Sequence, residues 1–334
     1  MSEARKTAYA RVIHECQTND ITFCFALHPQ IASVHPLRPG NKEDFEKFFQ
    51  HYAWAQSQGV HWFSVSLDDV GWGSGGPAAG GQAHARFVNE VLGRLRRRDA
   101  GAQMIFCPVP YWGDGTKPDH RDYLEALGRE LQPDVYVFWT GDKVAGARIT
   151  RRAAESYKKI VNHRLFLWDN YPVNDANPTL NLGALSGRDP ELCQVIDGYI
   201  SNPMATQNEI NRIPLATCAD YACNPSGYEP AASLRRAIAR LCTTDGQLQV
   251  LGALVAAYPG FLAAGGGTGT NPVREKFKLA LKSHETGVVN QLLSETKANL
   301  AGLQREFPNQ FAATKATLKA EVTWMTAQIP APVQ

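Results

Sequence analysis

Six short apolar runs recur between residues 21 and 202, and each is rich in β-branched or aromatic side chains. Between them, apolar residues recur three and four positions apart, as at Phe45, Phe48 and Phe49, which predicts amphipathic helices. Alternation of apolar strands with helices predicts a parallel sheet covered by helices. The predicted strands are Ile21–His28, His61–Asp69, Met104–Tyr111, Val135–Gly141, Leu165–Asn170 and Tyr199–Asn202.

The spacing of these strands, roughly 30 to 40 residues, suits the βα units of a TIM-type (β/α) barrel. A doubly wound open sheet is the rival interpretation. Polar and aromatic clusters follow at least five successive strands, and a barrel gathers all such strand ends around one mouth, which favours the barrel. The clusters are Asp68–Asp69, Tyr111–Gly113, Trp139–Gly141, Trp168–Asn170 and Asn202–Pro203.

Beyond Glu229 the sequence becomes rich in Ala, Leu, Lys and Glu, which predicts an all-helical region. We therefore expect a barrel domain over residues 1–229 and a helical C-terminal region over 230–334. The glycine-rich stretch 265–269 lacks the Lys of a phosphate-binding loop and is interpreted as a linker between helices. The predicted helices are Leu234–Leu241, Leu248–Ala257, Arg274–Leu281, Val288–Leu303 and Phe311–Met325.

Composition and charge exclude several classes of function. The formal net charge is +2 with both signs interspersed, which argues against a nucleic-acid surface. No apolar stretch is long enough to span a membrane, and the N-terminus lacks the apolar core of a secretory signal. The seven cysteines are scattered without a Cys-x-x-Cys pair, so we expect free thiols, no metal and no cofactor. The expected location is the cytoplasm, or outside the cell if the native N-terminus is longer.

The adjacent carboxylates of Asp68 and Asp69 are the leading candidates for chemistry. Two neighbouring carboxylates do not both ionise easily, so one can serve as an acid while the other stays anionic. A pair of exposed turn aspartates, one of them capping the next helix, is an equally open interpretation at this stage.

The other strand-end residues suit a carbohydrate ligand. Sugar hydroxyls need convergent polar partners, and the apolar face of a sugar ring packs against an aromatic side chain. Hydrogen-bonding groups come from Tyr111, Asn170, Asp175 and Asn202, and apolar walls from Trp139 and Trp168.

Five motifs in this order resemble the catalytic barrel of glycoside hydrolase family 84, the β-N-acetylglucosaminidases that include O-GlcNAc hydrolases. The resemblance extends from about Asp20 to Arg240. The five motifs together are specific for the family, although each motif alone would be weak evidence. The motifs begin at Phe63 (FSVSLDD), Cys107 (CPVPY), Phe138 (FWTG), Leu167 (LWDNYPVND) and Ser201 (SNPM).

The resemblance implies a retaining, substrate-assisted reaction in which the acetamido carbonyl of the sugar forms an oxazoline. It assigns Asp68 to orienting the acetamido N–H and Asp69 to acid and then base catalysis. It implies a GlcNAc-containing glycan or glycoprotein as the partner. The substrate-binding residues that it implies are Tyr111, Trp168, Asn170, Asp175 and Asn202, with Trp139 and Thr140 supporting them.

The sequence departs from the family pattern at its N-terminal end. Barrels of the family begin with two further βα units, and the run Ile21–His28 resembles their third strand. An eight-stranded barrel without two strands exposes sheet edges, which the C-terminal helices or a second copy of the chain could cover. We therefore expect reduced activity or none, despite the intact aspartate pair. The alternatives are a weak or inactive relative that binds GlcNAc or a partner protein, and a different barrel glycosidase, which the missing Asp-x-Asp-x-Glu pattern disfavours.

Overall fold

The computed structural model describes residues 1–31, 36–38, 40–176, 179–264 and 271–329. The strands are β1 (Cys24–Leu27), β2 (Trp62–Ser66), β3 (Gln103–Cys107), β4 (Tyr136–Trp139), β5 (Arg164–Asp169) and β6 (Ile196–Ser201). The α-helices are α1 (Glu3–Thr18), α2 (Lys42–Ser57), α3 (Gly76–Arg96), α4 (Pro118–Glu130), α5 (Arg151–Val161), α6 (Arg212–Cys223), α7 (Pro230–Ala239), α8 (Asp245–Ala257), α9 (Phe261–Ala264), α10 (Pro272–Lys282), α11 (Thr286–Glu306) and α12 (Ala312–Gln328).

The six strands form one sheet in the sequential order β1-β2-β3-β4-β5-β6. The pairs with a defined register, from β1 to β5, are all parallel. A doubly wound sheet reverses its strand order at a switch point, whereas a barrel adds each strand beside the last. The sequential order therefore confirms the prediction of an incomplete (β/α) barrel with six strands and excludes the doubly wound alternative.

The predicted strands were too long at their C-terminal ends. β2 ends at Ser66 and β3 at Cys107, so Asp68, Asp69 and Tyr111 lie in the loops that follow. Prolines at positions 108 and 110 have no N–H to donate to a ladder, which explains why β3 stops where it does.

Other boundaries were also misplaced. The sixth strand begins at Ile196, three residues before its predicted start. The prediction began too late because Asp197 and Gly198 interrupt the apolar pattern. The stretch after Asp189 forms only a short 3-10 turn, Pro190–Gln194. The prediction also omitted α6, a complete helix.

One compact unit comprises Met1–Val144, Arg151–Trp168 and Val195–Gly198. Strands β2, β3 and β4 are almost continuously buried, and helices pack on one face of the sheet. On that face the Tyr52 hydroxyl of α2 donates to the Ser64 carbonyl of β2 at 2.7 Å.

The second compact unit comprises Ala145–Thr150, Asp169–Gln194 and Tyr199–Gln334, and is mostly helical. All five predicted C-terminal helices are confirmed to within a few residues by α7, α8, α10, α11 and α12. The boundary at residue 229 stays a prediction, and the glycine-rich stretch 265–269 lies outside the described residues. Within the described ranges, no helix is both long and apolar enough to cross a membrane.

Candidate active site

The Asp68–Asp69 segment begins two residues after β2. Side chains alternate between the faces of a strand, so Ser64, Ser66 and Asp68 share one face, while Leu67 turns to the helix side, where it is buried. Asp69 has φ 57, in the left-handed region that aspartate tolerates better than most residues. This turn breaks the alternation and gives the two carboxylates different surroundings.

Asp68 is the more buried member of the pair, with 25% of its side chain exposed. Its Oδ1 atom is buried and has no hydrogen-bond partner among the described residues. Burial raises the pKa of Asp68 above its ordinary value, and a hydrogen bond from its own backbone N–H partly offsets the rise. A buried carboxylate oxygen without a donor is costly, so this position favours a ligand that brings an N–H or O–H group.

His28, which follows β1, holds the main chain of Asp68. Its Nδ1 accepts the backbone N–H groups of Gln30 and Ile31, at 3.2 and 2.8 Å. The ring proton is therefore assigned to Nε2, which donates to the Asp68 carbonyl at 3.0 Å. The same Nε2 lies 4.0 Å from Asp68 Oδ1. His28 thus positions the residue that carries the unpartnered oxygen.

Asp69 is exposed, and the Tyr111 hydroxyl donates to its Oδ1 at 2.9 Å. Burial and this hydrogen bond both raise the pKa of Tyr111, so the phenol stays protonated and remains a donor. The arrangement joins a solvent-accessible carboxylate to an oriented hydroxyl, as proton transfer to a leaving oxygen requires.

Three further predicted residues of the first unit fall into two groups. Trp168 is half-buried, and its ring meets that of Phe138 edge-on at 5.2 Å, consistent with an aromatic wall. Trp139 is fully buried, and its Nε1 donates to the Gly113 carbonyl at 2.8 Å. Thr140 is also buried, and its backbone N–H donates to the Tyr111 carbonyl at 2.8 Å. These two residues therefore support the loop that carries Tyr111.

Three other predicted residues belong to the second unit. Asn202 Nδ2 donates to Asn170 Oδ1 at 2.9 Å, and the Asn202 N–H donates to the Asp169 carbonyl at 2.9 Å. The structure thus brings Asn170 and Asn202 together. Asp175 is exposed and accepts the N–H of Ala176, and no hydrogen bond to either asparagine is found among the described residues.

A buried ion pair supports the two asparagines. Arg188 Nη2 and Nε donate to the two oxygens of Asp169 at 2.6 and 2.8 Å. The side chains are 2% and 1% exposed, and the Tyr199 hydroxyl adds a bond to Asp169 at 3.0 Å. Arg188 Nη1 donates to the carbonyl of Ser186 at 2.6 Å. Because Asp169 precedes Asn170 and its carbonyl accepts the backbone N–H of Asn202, this pair anchors the backbone at both asparagines.

Sequence reasoning did not include His28 or Arg188 among the site residues. His28 follows the first strand, the same position as the polar clusters that were recognised, so its signal was present. Arg188 lies 19 residues from Asp169 and carries no local signal for their pairing. Within the described part of the chain, no group of three or more His, Cys, Asp or Glu side chains is arranged to hold a metal ion.

Comparisons with known proteins by sequence and by structure agree on one family. The family model described as beta-N-acetylglucosaminidase matches residues 2–255. The Protein O-GlcNAcase of Mus musculus is 32% identical over 151 residues, which are 43% of this chain and 16% of the mouse protein. The Protein O-GlcNAcase of Rattus norvegicus gives the same figures, so the matched stretch is a small part of these relatives.

A mutant of the O-GlcNAc hydrolase of Thermobaculum terrenum resembles the chain in structure. The TM-score is 0.73 at 25% sequence identity, and the match covers 98% of this chain and 71% of that one. Because the family model matches most of its length, the chain belongs to the β-N-acetylglucosaminidase family.

Proposed function

We propose that this protein is a retaining β-N-acetylglucosaminidase that removes terminal GlcNAc, including O-GlcNAc on proteins, by substrate-assisted catalysis. The observation that carries the proposal is the buried, unpartnered Oδ1 of Asp68 beside the Asp69–Tyr111 pair. An acetamido N–H supplies the donor that this oxygen lacks, and an exposed carboxylate one residue away can reach the glycosidic oxygen.

In the proposed reaction, Asp68 accepts a hydrogen bond from the acetamido N–H and makes the carbonyl oxygen of that group more nucleophilic. This oxygen attacks the anomeric carbon as Asp69 protonates the departing glycosidic oxygen. An oxazoline forms and the aglycone leaves. Asp69, now a carboxylate, takes a proton from water, which attacks the anomeric carbon and reopens the ring with retained configuration.

The raised pKa of Asp68 fits the role of an electrostatic stabiliser. An anion in a poorly solvated position interacts strongly with positive charge that develops beside it. The hydrogen bond from the substrate favours the ionised form and offsets the burial that raises the pKa.

The remaining substrate contacts are proposed from the family resemblance. We assign Trp168 to the wall against the acetamide methyl group, and Asn170, Asp175 and Asn202 to the acetamide and the sugar hydroxyls. The rigid support of Asn170 and Asn202 by Asp169 is consistent with a binding role, because a preorganised amide loses little entropy when it binds a ligand.

The test is hydrolysis of methylumbelliferyl β-N-acetylglucosaminide by the wild-type chain and by Asp69→Asn, with Asp122→Asn as the matched control. Asp122 is an exposed aspartate on α4. We expect Asp69→Asn to lower kcat/KM by at least about a hundredfold, the usual contribution of a general acid. The control should keep wild-type turnover. No turnover by the wild-type chain, or equal turnover by both variants, would refute the assignment.

A second measurement isolates the role of the acetamide. Fluorine substitution of the acetyl group withdraws electrons from the carbonyl oxygen and weakens it as a nucleophile. Turnover should therefore fall steadily from the acetyl to the trifluoroacetyl substrate. A flat series would indicate that an enzyme carboxylate, and not the substrate, attacks the anomeric carbon.

The open edge of the sheet favours a second candidate, a GlcNAc-binding protein without turnover. In the described chain β1 pairs with β2 alone, so the barrel does not close on that side. Water reaching the site would weaken its electrostatic interactions. Calorimetric binding of GlcNAc, together with no hydrolysis of the aryl substrate, would select this candidate.

A further inference from the structure

A buried side chain joins the two loops that carry the proposed sugar contacts of the second compact unit. These are the β5 loop, residues 170–175, and the β6 loop, residues 202–205. Asn174 is 5% exposed and lies in the β5 loop. Its Oδ1 accepts the backbone N–H of Ala205 in the β6 loop at 2.7 Å, and its Nδ2 donates to the Thr179 carbonyl at 2.9 Å. One amide therefore connects the two loops directly.

Two further buried asparagines hold the backbone of these loops. Asn181 Nδ2 donates to the carbonyls of Pro172 and Val173 in the β5 loop, at 3.1 and 2.9 Å. Asn211 binds Met204 of the β6 loop with both ends of its amide, Oδ1 accepting the N–H at 3.0 Å and Nδ2 donating to the carbonyl at 2.8 Å. Neither asparagine is more than 3% exposed, so water does not compete for these bonds. Both loops are therefore ordered before a ligand binds.

The two loops supply different groups to the proposed sugar site. Asn170 and Asn202 already meet, since Asn202 Nδ2 donates to Asn170 Oδ1 at 2.9 Å. Asp175 is exposed, so the position of its carboxylate relative to this pair depends on the backbone that carries it. Asn174 immediately precedes Asp175, and its partner in the β6 loop lies three residues beyond Asn202. This bond therefore limits how far the carboxylate can move from the two amides.

We propose that Asn174 is a positioning residue, which holds Asp175 and Asn202 at the separation that binds the hydroxyls of the sugar. It acts through its bond to Ala205 and does not touch the substrate. Without that bond, only a fraction of the molecules would present Asp175 correctly, and the apparent Kd rises as that fraction falls. The inference rests on the proposed function, from which it takes the sugar contacts of the two residues.

A double-mutant cycle with Asp175 distinguishes positioning from a purely structural role. Asn174→Ala should raise KM for methylumbelliferyl β-N-acetylglucosaminide about tenfold, the effect of a correctly placed fraction near one tenth, and change kcat less than about threefold. In an Asp175→Ala chain the carboxylate is absent, so the same substitution should change KM less than about twofold. An equal increase in both backgrounds, or a loss of kcat at constant KM, would overturn the proposal.

Two variants control for stability and for the choice of bond. Asn271 is 3% exposed in the same unit and caps α10, so Asn271→Ala should lower the urea midpoint and leave KM unchanged. Asn174→Asp retains an acceptor for the Ala205 N–H and should keep KM within about threefold of the wild-type value. A KM raised about tenfold in either variant would refute the assignment. Asn174→Ser replaces Asn174→Ala if near-ultraviolet circular dichroism shows that the latter does not fold.

The same cycle measured as the Kd of GlcNAc by calorimetry tests the inference without turnover. We expect binding about tenfold weaker in Asn174→Ala and no further loss when this change is added to Asp175→Ala. Equal Kd in the wild-type and Asn174→Ala chains, or a Kd unaffected by Asp175→Ala, would refute the positioning role. Absence of turnover in a wild-type chain that binds GlcNAc would refute the proposed function alone, and absence of both turnover and binding would refute both.

Discussion

Replacing Arg188 with methionine should strongly destabilise the chain, because it leaves the carboxylate of Asp169 buried without its counter-charge. Asp169 would lose two charge-assisted hydrogen bonds, at 2.6 and 2.8 Å, and keep the Tyr199 hydroxyl as a donor. Both partners are almost fully buried, so water cannot replace the guanidinium. Removing one member of such a pair costs about 3–5 kcal/mol. Urea unfolding should show this loss as a lower midpoint at constant slope.

The double variant separates the buried charge from lost packing. Asp169→Asn with Arg188→Met removes both charges while keeping side chains of similar volume, so it should recover at least half of the loss seen in Arg188→Met. Arg212→Met, at an exposed arginine on α6, is the matched control and should change stability by less than about 0.5 kcal/mol. A loss below about 1 kcal/mol in Arg188→Met, or no recovery in the double variant, would show that the ion pair does not hold this region.

Three further outcomes follow from the hydrogen bonds and pKa shifts of the site. Asp68→Asn should lose activity in the aryl-glycoside assay yet equal or exceed wild-type stability at neutral pH. Because the pKa of Asp68 is raised, its ionised form lowers the stability of the folded wild type, and this loss appears as the pH rises through that pKa. An Asp68→Asn variant less stable than the wild type at neutral pH would contradict this reasoning. Tyr111→Phe should lower kcat/KM roughly 10- to 100-fold, since it removes a donor to a carboxylate; an unchanged value would exclude the pair from proton transfer. His28→Ala should lower kcat/KM about tenfold, because the Asp68 carbonyl loses its donor; a change in urea midpoint alone would make His28 purely structural.

The features that could be predicted from the sequence are those that depend on the local pattern of apolar and polar residues. Continuous apolar runs predicted the strands, and polar residues just after them predicted the carboxylate pair and the Tyr111 loop. The partnership of Arg188 with Asp169 depends on tertiary contact, which periodicity does not record. The φ of Asp69 escaped prediction for a related reason, since nothing in SLDDV distinguishes a left-handed turn from one more residue of strand.

That left-handed residue explains how two adjacent, chemically identical side chains acquire different surroundings. Strand alternation directs Asp68 to the face shared by Ser64 and Ser66, where burial raises its pKa and leaves one oxygen unpartnered. Had the strand continued, Asp69 would have pointed with Leu67 to the helix side, where burial such as that of Leu67 disfavours a carboxylate. Reversing φ at Asp69 leaves its carboxylate exposed and bonded to Tyr111. The proposed division between a stabilising anion and a proton donor thus depends on where β2 ends and on the left-handed turn that follows it.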